Sequence, residues 1–182
     1  MTTMQETYKA EAVPKLMQEF GIPHRLAVPK ITKVVVASGV GRATQNPKAL
    51  EEVEQTLQEI TGQKPKLTRA RKAIASFKVR QGAPVGLMVT LRGKRMIDFL
   101  ERLVHVVLPR IRDFRGLPPQ GFDAQGNYTL GIREQLVFPE IPPDQAANFH
   151  GLAITITTTA ANAAQGRALL AALGFPFEKE EA

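Results

Sequence analysis

The 182-residue chain contains no cysteine, which removes a disulfide framework, a thiolate zinc site and a cysteine nucleophile together. Long hydrophobic runs are missing as well. The opening MTTMQETYKAEAVPK has no apolar core of the kind a secretory signal needs, and no stretch approaches the roughly 18 to 20 apolar residues that span a bilayer. A soluble cytoplasmic protein with no membrane partner is therefore expected. Histidine is scarce: His24, His105 and His150 lie far apart with no H-x-x-x-H spacing, so no metal site is expected. Neither G-x-S-x-G nor G-x-x-x-x-G-K-[ST] occurs. Gly39-Val40-Gly41 follows an expected strand, but Thr44 stands where a dinucleotide-binding loop needs its third glycine, and Asn46-Pro47 start the next helix too late. Asp98 and Glu101 share a helix face at i, i+3, yet Arg95 and Arg102 beside them suit a solvated face better than a catalytic pair. The chain reads as a non-enzyme with no catalytic residues and no cofactor.

Acidic residues are absent from one place in particular. The net charge is +7, and residues 62–95 hold Lys64, Lys66, Arg69, Arg71, Lys72, Lys78, Arg80, Arg92, Lys94 and Arg95 with no Asp or Glu among them. The remaining 148 residues carry 14 basic and 17 acidic side chains. The basicity thus belongs to a single segment, and a local positive field facing a polyanion accounts for that better than general solubility. The cations do not lie opposite an apolar helical face, which counts against a membrane surface.

The hydrophobic fraction of 43% is ordinary for a globular protein, and the length suits one domain, 1–182. Tyr8, Val13, Leu16, Met17 and Phe20 fall at helical spacing, so a helix is expected over about 5–20, with a kink or late start at Pro14. Ile31–Ser38 is β-branched and short, hence a strand. Asn46-Pro47 supply an N-cap and a first-turn proline for a helix carrying Leu50, Val53, Leu57 and Ile60. Val85, Leu87, Val89 and Leu91 alternate with Gly86, Met88, Thr90 and Arg92, which predicts a strand with one apolar face. Residues 74–80 are its expected antiparallel partner, across the turn Gln81-Gly82-Ala83-Pro84. Met96, Leu100, Leu103 and Val107 form the next helical stripe, closed by Pro109. The Gly/Pro-rich stretch 113–127 reads as a long loop of the functional or partner-ordered kind. Leu152, Ile154 and Ile156 alternate with Thr155, Thr157 and Thr159, and Asn162 is placed to cap a last helix ending at Gly174. The expected fold class is α+β, a single domain whose helices cover only one side of the sheet.

Cations interleaved with small and apolar residues on a protruding hairpin suit a folded phosphate backbone. Phe77, the only aromatic in 62–95, either stacks on a base or belongs to the core. No helix-turn-helix, zinc-finger spacing, basic zipper or RNP-type strand signature is present. The residues alone lead to structured RNA as the partner.

Three long segments carry a resemblance: GQKPKLTRARKAIASFKVRQGAPVGLMVTLRG (62–93), LPRIRDFRGLPPQGFDAQGNYTLGIREQLVFPEI (108–141) and ITTTA with GRALLAALGFPF (156–177). They resemble the bacterial large-subunit ribosomal proteins that bind 5S ribosomal RNA, from about Tyr8 to Phe177. The resemblance implies a five-stranded, mainly antiparallel sheet with helices behind it and a basic protrusion. It implies a structural role in the large subunit, attaching 5S RNA in the central protuberance. Large-subunit ribosomal RNA, neighbouring 5S-binding proteins, P-site transfer RNA and a small-subunit head protein are the implied partners. Gln63, Thr90 and Arg92 would meet 5S RNA, with Phe77 a candidate beside them. Arg69, Arg71, Lys72, Lys78 and Arg80 would lie on the loop that reaches transfer RNA, and region 134–151 would face the small subunit. The chain departs from the family at Ala37, where Asn is usual, at Ala124-Gln125, where Gly-Arg is usual, and at its acidic carboxy end. Two rival readings are an RNA chaperone of the same fold and a nucleotide-dependent enzyme using Gly39 and Gly41.

Overall fold

The structure, a computed structural model, describes residues 3–41, 47–77, 79–142 and 150–178. Four helices and five strands make up the described residues. Helix α1 covers residues 4–20, β1 is Ile31–Gly39, α2 is Pro47–Thr61, β2 is Lys66–Arg69 and β3 is Pro84–Leu91. Helix α3 covers residues 93–110, β4 is Tyr128–Ile132, β5 is Leu152–Thr158 and α4 is Ala163–Ala172. The fold is α+β, with one five-stranded antiparallel sheet in the order β2-β3-β1-β5-β4. The chain divides into two compact units. The first unit comprises Met1–Val34, Arg92–Leu130 and Thr155–Ala182; the second comprises Val35–Leu91 and Gly131–Ile154.

In the first unit α1 packs on α3 and α4, burying Leu16, Phe99, Leu100, Leu103, Leu169 and Leu170. Burial of each such side chain contributes about 1.5–3 kcal/mol. Both long helices contain a proline, and both resolve it in the same way. A proline removes one N–H from the ladder and crowds the carbonyl four residues back. Ahead of Pro14 the helix widens into a π turn over Tyr8–Ala12, and the Val13 N–H donates to the Tyr8 carbonyl. Ahead of Pro109 a second π turn spans Leu103–Val107, with the Leu108 N–H donating to Leu103. The expected kink at Pro14 is thus a wider turn placed before it, and Pro109 lies within the helix, which ends one residue later. Asn162 caps α4 as expected: its Oδ1 accepts from the Gln165 N–H at 2.9 Å. Gly174 then turns the chain at φ +89°. Glu101, considered above for catalysis, accepts from the Met4 N–H at 2.6 Å and so ties the start of α1 to α3.

The segment 113–127 is not an open loop waiting for a partner. Leu117 is buried, its N–H donates to the Pro176 carbonyl at 2.7 Å, and its carbonyl accepts from the Glu178 N–H at 3.1 Å. The rings of Phe122, Tyr128 and Phe177 cluster with centroids 4.6–5.5 Å apart, and the Tyr128 hydroxyl donates to the Pro118 carbonyl at 3.0 Å. The Asp123 carboxylate closes the last turn, accepting from the Gln125 and Asn127 N–H groups and from the Asn127 amide at 2.7–3.0 Å. Those bonds, led by the one from the Asn127 side chain, hold its carboxyl below the usual range. Ala124 and Gln125 are exposed.

In the second unit α2 packs on β3, and Leu57, Ile60, Leu87, Val89 and Leu91 are buried. The alternation expected for β3 holds: Met88 and Thr90 are half-buried on the opposite face. The pairing expected for it does not. The antiparallel partner of β3 is Lys66–Arg69, with Lys66 opposite Met88, Leu67 opposite Leu87 and Thr68 opposite Gly86. Leu67 is half-buried, whereas Ile74 and Phe77 are exposed, so 66–69 offers apolar surface to the core side and 74–80 does not. The expected cap at Asn46 lies outside the described residues.

Candidate nucleic-acid interface

Strands β2 and β3 place side chains on a sheet face turned away from the core. Directly opposed residues in an antiparallel pair point the same way, so Lys66 and Thr68 share a face with Met88 and Gly86. Thr90 follows on that face by alternation. Gln63, 27 residues earlier, reaches the same strand: its Nε2 donates to the Thr90 carbonyl at 3.3 Å. The bond uses the Thr90 backbone and leaves its hydroxyl outside that contact. Gly86 keeps the face shallow, because a Cβ there would lie 2.7 Å from the Ser38 carbonyl and 3.2 Å from Thr68 Oγ1. Ala37 on β1 is half-buried between buried Val36 and Ser38, so it does not point into the core. Arg92 is the first residue after β3 and is exposed, with extended backbone at φ −142°. Gly93, at φ +58°, then turns the chain into α3.

Between β2 and β3 the chain makes an excursion over residues 70–83. Its neck is closed by the Ala70 N–H donating to Ala83 at 2.9 Å and the Gly82 N–H donating to Ala70 at 3.0 Å. Further out, Ile74 and Val79 exchange hydrogen bonds of 2.9 and 3.1 Å around a 3₁₀ turn, Ala75–Phe77. Arg71, Lys72 and Arg80 are exposed. Arg69 stands at the root and donates to the Gly82 carbonyl at 3.3 Å. Phe77 is 73% exposed, which leaves the core reading no support and places it on the excursion. Lys78 lies outside the described residues.

The cations of this segment are almost unneutralised. Lys64 pairs with Glu54 at 3.7 Å. Lys66, Arg69, Arg71, Lys72, Arg80, Arg92, Lys94 and Arg95 have no ion-pair partner among the described residues. Like charges held together without counter-charge repel one another, and a polyanion relieves that cost while releasing its own condensed counterions. Thr68 was not singled out from the sequence, and Lys66 only as one cation of the basic segment. Their placement on this face is a matter of register opposite β3, invisible until 66–69 is known to be a strand.

Among the described residues no group of three His, Asp or Glu side chains is arranged to hold a metal ion, and no helix is long and apolar enough to cross a membrane. Fold and charge define a small α+β protein with a surface suited to a polyanion. A family model of ribosomal protein L5 matches residues 24–80, and the model of that ribosomal family's C-terminus matches residues 84–177. The large ribosomal subunit protein uL5 of Acaryochloris marina is 56% identical over 180 residues, covering 98% of this chain and 99% of that one. The protein of the same name from Synechocystis is 56% identical over 174 residues, with 96% and 97% covered. That from Syntrophomonas wolfei is 52% identical over 177 residues, with 97% and 99% covered. The chain belongs to the ribosomal protein L5 family, a family of ribosomal proteins and not of enzymes.

Proposed function

We propose that the chain is a structural constituent of the bacterial large ribosomal subunit, bound to ribosomes in the cytoplasm, and that residues 1–182 act as one 5S-binding domain. In this reading Gln63, Thr90 and Arg92 meet 5S ribosomal RNA and help to attach it in the central protuberance, beside large-subunit RNA and neighbouring 5S-binding proteins. The excursion with its root, carrying Arg69, Arg71, Lys72, Lys78 and Arg80 in sequence, reaches P-site transfer RNA, and region 134–151 faces a small-subunit head protein. The observation that carries the reading is a segment of eight described cations with no ion-pair partner among the described residues, in a stretch with no carboxylate of its own. The Gln63–Thr90 bond supports a common role for those two residues.

Two measurements test this. The protein should co-sediment with large subunits and 5S RNA from its own cells. Replacing Arg69, Arg71 and Lys72 together by Ala should leave 5S binding largely intact while weakening transfer-RNA binding to reconstituted ribosomes. Loss of 5S RNA as severe as that caused by Arg92→Ala would mean that one continuous basic surface serves one RNA.

A further inference from the structure

We propose that a small apolar cavity in the first unit receives one aromatic side chain of a protein partner, from a segment that carries a carboxylate beside the ring. The cavity has a volume of about 190 Å³ and is walled by Met4 and Tyr8 of α1, Ile31 of β1, Met96 and Leu100 of α3, and Leu173 after α4. Gln5 and Lys30 also line it, and both are exposed, so it opens to water beside them. Folded chains leave few voids larger than a water molecule, and this one is held open by hydrogen bonds on its border. The Met4 N–H donates to the Glu101 carboxylate at 2.6 Å and joins α1 to α3. The Tyr8 hydroxyl donates to the Pro29 carbonyl at 3.1 Å, which leaves its ring as a wall. Lys30 is fixed through its backbone alone: its N–H donates to Thr159 Oγ1 and its carbonyl accepts from the Thr159 N–H, both at 3.0 Å. A hollow formed before a partner arrives spares that partner the cost of opening it.

Size, lining and charge select the occupant. An apolar cavity of about 150 Å³ takes up benzene, so this one suits a single phenyl-sized group. Two of its walls are methionine side chains, whose thioethers adapt to a ring and contact it favourably. Lys30 is the one charged residue of the lining, and it has no ion-pair partner among the described residues. An acid flanking the inserted ring would meet that ammonium at the mouth. A nucleobase fits less well, since its ring nitrogens and carbonyls would be buried against apolar walls without partners. A second copy of the chain also fits less well. Its fully exposed Leu26, at 99%, follows Arg25, and insertion of that leucine would bring a cation to Lys30.

The chain has five methionines, so isotope-labelled methionine methyl groups report on the cavity by NMR. Met4 and Met96 line it, whereas Met17 and Met88 do not and serve as controls; single Met→Leu variants assign the signals. The full-length protein is titrated with the peptide acetyl-Ser-Glu-Phe-Glu-Ser-amide. The expected result is a saturable upfield shift of the Met4 and Met96 methyls with the controls unmoved, abolished when the peptide's Phe is Ala. Changing both peptide Glu residues to Gln, or Lys30→Gln in the protein, should each weaken binding about threefold, the size of one exposed ion pair. The two changes together should weaken it no further than either alone. Lys30→Gln alters an exposed side chain whose backbone bonds remain, so the fold is kept. Absence of a shift at millimolar peptide, an equal shift with the Ala peptide, or indifference to the Glu→Gln and Lys30→Gln changes overturns the proposal. Met4 and Met96 signals that move with protein concentration alone assign the cavity to a second copy. Signals that move with a 5S transcript assign it to RNA, and tighter binding of octanoate than of the peptide assigns it to a free amphiphile. Each of these three overturns the proposal as well. The proposal uses none of the residues of the RNA-binding reading, so the two stand or fall separately.

Discussion

Replacing Gly166 by Ala sets two effects of opposite sign against each other. Gly166 lies inside α4, where alanine is the better helix former by about 1 kcal/mol. Its missing side chain is where the Gly126 backbone runs: a Cβ would meet Gly126 O at 2.4 Å, Cα at 2.9 Å and C at 3.0 Å. Ordinary contact begins near 3.4 Å, so α4 and the 123–127 turn must separate by close to 1 Å. The turn has little room to retreat. Gly126 is itself wedged at φ +74°, where a Cβ would lie 2.6 Å from the Asn162 carbonyl. Its carbonyl accepts the buried Thr158 hydroxyl at 2.8 Å. Overpacking costs about 1–3 kcal/mol, and weakening that hydrogen bond adds about 0.5–1.5 kcal/mol. After the helical gain, a net loss of about 1–3 kcal/mol remains, which for a chain of this size lowers Tm by roughly 2–12 °C. Thermal and urea melts measure it. Ala164→Gly, at an exposed position of the same helix, reports propensity alone and should lose about 1 kcal/mol. A Gly166→Ala protein more stable than wild type would show that the contact gives way freely and would refute the reasoning.

Arg92→Ala should weaken 5S binding by about 1–3 kcal/mol; Thr90→Ala should act less, since the Thr90 carbonyl keeps its bond from Gln63. Gel shift at fixed salt reads both, and a folded Arg92→Ala protein with unchanged affinity would remove that residue from the interface. Ala37→Asn should gain about 0.5–1.5 kcal/mol of 5S affinity that persists as salt is raised; lower stability without tighter binding would rule this out. Burial, reinforced by the Glu178 carboxylate, pushes the Tyr128 hydroxyl up to about 12. The folded state therefore favours the neutral phenol, and the stability it contributes, complete below about pH 10, is lost as pH rises from about 10 to 12. In urea melts across that window Tyr128→Phe should lose stability less steeply than wild type, and parallel curves would contradict the assignment.

Elements written in a local code were legible before the fold was seen. The period of two in 85–91 and 152–158, the cap at Asn162 and the stop at Gly174 each depend on neighbouring residues alone, and the structure keeps them. Pairing is not local. Segment 74–80 has a stronger strand composition than 66–69, but the sheet takes the latter because Leu67 falls opposite Leu87 in a register that turns it toward the core side. The loop 113–127 looked open because its anchors, Tyr128 and Phe177, lie outside it in sequence. Within the candidate interface, charge was legible by counting, while the meeting of Gln63 with Thr90 has no spacing that betrays it. Phe77 was ambiguous because exposure cannot be read from residue type.

The two π turns also change how the long helices count. Along α1 one inward row is Met4, Tyr8, Ala12, Leu16 and Phe20, buried or half-buried at every fourth position, with buried Val13 beside it. Along α3 one such row is Met96, Leu100, Val104 and Leu108, all buried, beside a second row of buried Phe99, Leu103 and Val107. A uniform helix of 3.6 residues per turn cannot keep such a row in line: the fourth residue leads by about 40° each time, which is about 160° across α1 and about 120° across the α3 row. The wider turn spends one additional residue without advancing the face, like a leap day in a calendar, and returns the row toward alignment. What a proline imposes on the backbone and what a four-residue rhythm asks of the core are thus met by one local change, made twice.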